Sequence, residues 1–175
     1  AYIRKLPKSL KSNLIDYVFQ AQIELARDLG ILGETVEGYV DYTDKYYYGS
    51  DDITTNSDII GVYNGPGTNK ARKYLGIMVS SGKTKLFAQV IPIKKGQDRA
   101  KTIVDGIRKI INWGLKFKRV DGDREFSTYD LIALLKKEKI PYLGTIKKTV
   151  PIKKLANDLI DGKIRQVVPH TLNPH

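Results

Sequence analysis

The feature that most constrains this chain is a change of hydrophobic period along it. Tyr74 to Ser80 and Lys85 to Ile93 are rich in β-branched and aromatic residues and meet through Ser81-Gly82-Lys83-Thr84. Two such runs around a short Gly-containing turn predict an antiparallel hairpin. From Asp98 the period becomes helical: Ile103, Ile107, Ile110 and Ile111 share one face of a helix expected over Asp98 to Trp113. A strand over Phe117 to Val120 follows. A helix over Ser127 to Lys139 comes next, N-capped by Ser127 or Thr128, with Leu131, Leu134 and Leu135 inward. Pro141 to Ile146 reads as a strand, Ile152 to Ile160 as a short helix, and Val167 to His175, with two Pro, as a frayed tail.

Upstream, Leu10, Leu14, Ile15, Val18, Ile23 and Leu25 predict a helix over Pro7 to Leu29, stopped by Gly30. Thr35 to Thr43 reads as a strand and Lys45 to Gly49 as a second, short one. Ser50 to Asn69, rich in Asp, Asn, Thr and Gly, reads as loop. An antiparallel meander followed by alternating helices and strands makes the expected fold class α/β, a mixed sheet flanked by helices. The expected organisation is an N-terminal helical segment (1–33), a core (34–165) and a tail (166–175). At 175 residues the chain is long enough to build a core without disulfides, and it has no Cys. It carries no basic-then-apolar leader and no apolar run of the ~18 residues that a membrane span needs. The expected location is therefore cytoplasmic, with no membrane partner.

Charge narrows the function. A formal net charge of +11 argues for a polyanionic partner, nucleic acid above all, although a Lys-rich surface alone produces the same balance. The charge is segregated. Glu34 to Asp58 holds seven acids against Lys45, whereas Gly67 to Arg119 holds fourteen bases against Asp98 and Asp105. An acidic segment beside a basic one suits a metal-dependent enzyme acting on phosphates: carboxylates hold the cations and Lys/Arg hold the backbone.

Several local motifs fail on inspection. Gly82-Lys83-Thr84 lacks the phosphate loop's earlier Gly, since Ile77 stands there, and it leads into a strand rather than a helix. Asp121-Gly122-Asp123 opens like a calcium loop, but Phe126 and Ile132 occupy the positions that need Gly and Glu. His170 and His175 lie in the tail with no Cys to join them, too few for a structural zinc site. Asp41 and Asp123 are different. Each is expected at the end of a strand, where neighbouring parallel strands bring acids to one spot able to hold Mg²⁺. Two such ions clamp the attacking and leaving oxygens of a phosphodiester. The alternative is that Asp41 opens a turn and Asp123 caps a helix.

Two stretches carry a family resemblance. Val40-Asp41-Tyr42-Thr43-Asp44-Lys45 with Tyr46-Tyr47-Tyr48-Gly49 resembles the first catalytic segment of DDE-type insertion-sequence transposases, archaeal ones especially. Asp121-Gly122-Asp123-Arg124-Glu125-Phe126-Ser127 resembles the second, an apolar strand followed by Asp-Arg-x-Phe and a helix. Gly67-Thr68 with Tyr74 and the basic hairpin falls where the family has a similar pattern, so the resemblance spans about Val36 to Thr145. It implies an RNase H-like mixed sheet and a catalytic core that cleaves DNA at transposon ends and joins it to target DNA. By position, Asp41 and Asp123 become the catalytic, metal-binding acids for two Mg²⁺ or Mn²⁺ ions, with Asp121 the competitor of Asp123. Among the basic block, Lys70, Arg72, Lys73, Lys83 and Lys85 become candidate DNA-binding residues. Lys94, Lys95 and Arg124 complete that set. A homodimer in the functional assembly is also implied. One departure stands out: the family needs a third acid, and neither Glu125, Glu138, Asp158 nor Asp161 falls where it belongs. A core ending before that acid, a stand-alone metal-dependent nuclease and a non-catalytic DNA-binding relic therefore remain alternatives.

Overall fold

The computed structural model describes residues 8–62, 65–145, 153–154, 157–158 and 160–163. Helix α1 (Lys8–Asp28) leads into β1 (Thr35–Tyr46), a two-residue β2 (Ile60–Gly61), β3 (Lys70–Ser81) and β4 (Thr84–Ile93). Helix α2 (Arg99–Asn112), β5 (Lys116–Gly122), α3 (Tyr129–Lys137) and β6 (Tyr142–Gly144) follow. The chain divides into two units, 1–145 and 146–175. In the second, the described residues 153–154, 157–158 and 160 are helical, where a short helix was expected. The expected frayed tail, 167–175, lies outside the described residues.

The sheet order is β2-β3-β1-β5-β6, with β4 also on β3. Strands β1, β3 and β4 pair antiparallel, while β5 lies parallel to β1 and β6 parallel to β5. This is an RNase H-like architecture, and the mixed-sheet expectation holds. Gly82 takes a positive φ of 59° at the first position of the two-residue β3–β4 turn, the conformation that lets such a loop join strands of native twist.

Alternation along each strand sorts the sheet into two faces. Val36 and Val40 of β1 join Leu75, Ile77 and Val79 of β3 and Val120 of β5 in one core. Ile23 of α1, Ile103, Ile107 and Ile110 of α2, and Leu131 and Leu135 of α3 belong to the same cluster. Asp98 caps α2 by accepting from the Lys101 N–H at 3.0 Å, and Thr128 caps α3 by accepting from Leu131. Of the two cap residues expected for α3, Thr128 takes the role.

Three local expectations change. Lys45 and Tyr46 are not a new strand: they extend β1, paired with Arg72 and Ala71, and the chain leaves the sheet after Tyr46. Ile111 is 38% exposed, because Ile103, Ile107 and Ile110 already fill the inward stripe. Strand β5 continues past Val120 through Gly122, which carries Asp121 inside the sheet.

The α2–α3 junction is fastened by an ion pair, Arg108 Nη2 to Glu138 Oε1 at 2.6 Å. That bond from Arg108 holds the Glu138 carboxyl below the ordinary range. A depressed carboxyl contributes stability above its unfolded pKa and loses it as pH falls through the lower folded value. Acid unfolding should therefore be less steep for Glu138→Gln than for the parent below about pH 4.5, the ordinary glutamate value. Truncating fully buried Ile107 to Ala should lower unfolding free energy by about 2–5 kcal/mol in urea titrations.

Candidate metal centre and nucleic-acid interface

Asp41 does not end its strand, contrary to expectation. It lies mid-β1, paired with Gly76 of β3, and β1 runs five residues further. What ends near it is the parallel partner. Val40 pairs with Gly122, the last residue of β5. Asp41 and Asp123 thus each follow the last pair of that ladder, Asp41 within β1 and Asp123 in the turn after β5. Both are exposed. Asp123 neither continues the sheet nor caps α3. Its Oδ1 accepts the Glu125 N–H at 2.8 Å, and its carbonyl accepts the Phe126 N–H at 3.1 Å, closing a turn.

The turn is pinned by an aromatic pair. Tyr42, next to Asp41, stacks on Phe126 with ring centroids 4.5 Å apart and planes at 23°. Phe126 is 2% exposed. Burial pushes the Tyr42 phenol up, partly opposed by the nearby Arg99 cation. Gly122 makes the approach possible: a Cβ there would lie 3.0 Å from Phe126 Cβ and 3.1 Å from Val40 Cγ2.

Asp121, the competitor, shares the open face with Asp41 through its pairing with Tyr39. Its carboxylate is committed, accepting from Arg119 Nε at 2.9 Å, while Arg119 also reaches Glu37 at 3.5 Å. That contact separates the two acids: Asp121 is neutralised by its own strand, whereas the Asp123 carboxylate holds a backbone N–H. Two carboxylates with free oxygen lone pairs suit Mg²⁺ or Mn²⁺, which take one or two carboxylates plus water and substrate phosphates. Among the described residues, no group of three or more His, Cys, Asp or Glu could hold a metal ion. Glu138 is bound to Arg108, and Asp158 and Asp161 are bound to Lys163.

The basic block is divided by the fold. Lys70, Arg72 and Lys73 lie beside the C-terminal end of β1, with Lys94 and Lys95 after β4, whose Ile93 pairs with Lys73. Lys83 and Lys85 lie at the other end, where Ser80 pairs with Glu37. Arg124 directly follows Asp123. Three of these cations are engaged within the chain: Lys70 with the Asp51 carbonyl at 2.8 Å, Lys73 with Asp44 at 3.4 Å and Lys94 with Asp58 at 4.0 Å. Arg72 lies over the Tyr47 ring at 5.3 Å and Lys85 over Tyr39 at 5.7 Å. In the tyrosine run, Tyr46 and Tyr48 are 40% and 68% exposed, and the Tyr48 hydroxyl donates to the Pro66 carbonyl. A pocket of about 440 Å³ lies elsewhere, between α1 and β4, and is lined by Asp16, Gln89 and Lys109 among others.

With that geometry in hand, comparison with known proteins is informative at the level of fold. No family model matches the chain, and no curated protein sequence matches it. Among solved structures, the chain is similar to a piggyBac transposase in a synaptic complex with hairpin DNA, determined by cryo-electron microscopy. The TM-score is 0.52 at 15% identity, covering 87% of this chain and 33% of that one. The chain thus spans one third of that protein's length. The likeness is one of fold alone. No described helix is long and apolar enough to cross a membrane.

Replacing Phe126 with Ala should cost about 3–5 kcal/mol in denaturant titrations, since the ring is buried. Tyr42→Phe keeps the stacked ring and should cost less than about 1.5 kcal/mol in the same assay.

Proposed function

We propose that this chain is the catalytic core of a DDE transposase of the archaeal insertion-sequence type, cleaving transposon-end DNA and joining it to target DNA. The observation that supports this reading is the β1–β5 register, whose last pair, Val40 with Gly122, directly precedes Asp41 and Asp123 in sequence. The distant fold likeness to a DNA-bound transposase supports it. Asp41 and Asp123 would hold the divalent ions. Bound there, Mg²⁺ or Mn²⁺ supplies Lewis-acid stabilisation of charge on phosphodiester oxygens. Arg124, which follows Asp123, would hold a DNA phosphate. Lys85, on the face that carries Tyr39 and Asp41, holds backbone without reading sequence. The archaeal affinity rests on the Asp-Tyr and Asp-Arg-x-Phe segments alone.

One observation favours a second reading, a non-catalytic DNA-binding relic: no third acid joins the pair among the described residues. DNA binding that persists in EDTA, with no cleavage in Mn²⁺, is its signature. A stand-alone nuclease would cut in Mn²⁺ without joining ends.

Calorimetry with Mn²⁺ separates these readings at the metal. The parent should bind, and Asp41→Asn and Asp123→Asn should each weaken binding at least tenfold. Unchanged binding in either variant removes the shared site. DNA affinity should fall linearly in log–log salt titrations, and neutralising Lys85 and Arg124 should reduce the slope by about one each.

A further inference from the structure

Helix α1 has two apolar sides, and the core uses one. Ile23 and Ala26 are buried. The same side is tied down by Asp16, which accepts from Lys109 at 2.8 Å and Gln89 at 3.2 Å, and by Arg27, which donates to the Trp113 carbonyl at 3.4 Å. The opposite side carries Leu14, Val18, Leu25 and Leu29, which are 41%, 57%, 59% and 62% exposed. Leu29 continues the last turn by donating its N–H to the Leu25 carbonyl at 3.0 Å. At 3.6 residues per turn these four side chains fall within about 60° of one another, a seam of coiled-coil width. Exposed Ala21 borders the seam, about 20° outside it, and Tyr17, 69% exposed, lies further round on the same side.

The spacing along the seam is symmetric. Leu14 and Leu29 are equidistant from the midpoint between Ala21 and Gln22, and so are Val18 and Leu25. A two-fold axis through that midpoint sets Leu14 of one copy against Leu29 of the other and Val18 against Leu25, each contact made twice, as an isologous interface requires. Ala21 and Gln22 flank the axis on either side, and the small Ala21 leaves room on its own side. We propose that this seam is a self-pairing surface, through which two copies of this chain associate by antiparallel α1 helices. The exposed area of Leu14, Tyr17, Val18, Leu25 and Leu29 is roughly 600 Å² per copy, so a symmetric pair buries at most roughly 1,200 Å², the lower edge of the range of specific interfaces. The proposal uses neither the acids nor the basic residues: the family resemblance implies a homodimer, and the α1 seam is the surface proposed for it here, tested independently of catalysis.

Sedimentation equilibrium of the full 175-residue chain should show a mass rising from 19.7 kDa towards twice that value over a hundredfold range of concentration. Val18→Glu with Leu25→Glu should stay monomeric with an unchanged thermal melt by circular dichroism. Because the chain has no Cys, single cysteines report the register without background. Ala21→Cys should form a disulfide-linked dimer under mild oxidation. Val18→Cys should not link to itself, because its two copies sit ~10 Å apart along the helix axes, beyond the ~7 Å reach of a disulfide. Mixed with Leu25→Cys, it should link to that variant. A monomer at every concentration, which leaves the seam to another segment of a longer protein, overturns the proposal. So does a dimer that survives the double Glu substitution, or Val18→Cys linking to itself as readily as Ala21→Cys.

Discussion

The stacking of Tyr42 on Phe126 is the contact on which the rest of the site depends. Tyr42 follows Asp41 on a central strand, and Phe126 follows Asp123 by three residues in a turn outside the sheet. The parallel β1–β5 ladder brings the two segments level but stops at Gly122, one residue short of Asp123. Beyond that point the buried ring holds the turn against β1, and the missing Cβ of Gly122 gives it room. Phe126 belongs to the same cluster as Leu131 and Leu135, so the site's geometry is inherited from the core rather than from polar contacts among the acids.

The sheet divides its labour by face. One face is apolar and covered by helices. On the other, Glu37, Tyr39 and Asp41 of β1 lie beside Arg119 and Asp121 of β5. Lys118 and Arg119 both reach Glu37, and Arg119 also binds Asp121. Exposed pairs of this kind contribute little to stability. Their effect is on charge: they neutralise two acids of the open face, whereas Asp41 makes no ion pair among the described residues and the Asp123 carboxylate accepts only a backbone N–H. The basic residues are sorted in the same way. Ion pairing to Asp44 and Asp58 occupies Lys73 and Lys94, so the excess positive charge is smaller around β1's C-terminal end than composition implies.

Helix α1 shows the limit of a single amphipathic stripe as a guide. Its apolar residues keep helical spacing, and spacing alone assigns them all to one core. Packing divides them: Ile23 is buried while Val18 and Leu25 face outward. A helix that is apolar on two sides needs two partners, and the sheet supplies one.

Much of the architecture was legible in the sequence, because periodicity, turns and caps are local. The hairpin through Gly82, helix α2 from its Asp98 cap and the order of elements all follow from residue patterns a few positions long. The acids Asp41 and Asp123 were also legible as candidates, through the short motifs around them. Sequence could not show that β5 extends to Gly122, that Asp121 is captured by Arg119, or that Tyr46 and Tyr48 stay exposed. Each depends on which strand lies alongside, and pairing partners here are separated by up to about eighty residues. The chain's sequence by itself determined which segments are helix or strand and which face of each is apolar. Only the tertiary structure decided which carboxylates are neutralised and which turn packs against β1, because strand register and ring packing join segments that no local pattern connects.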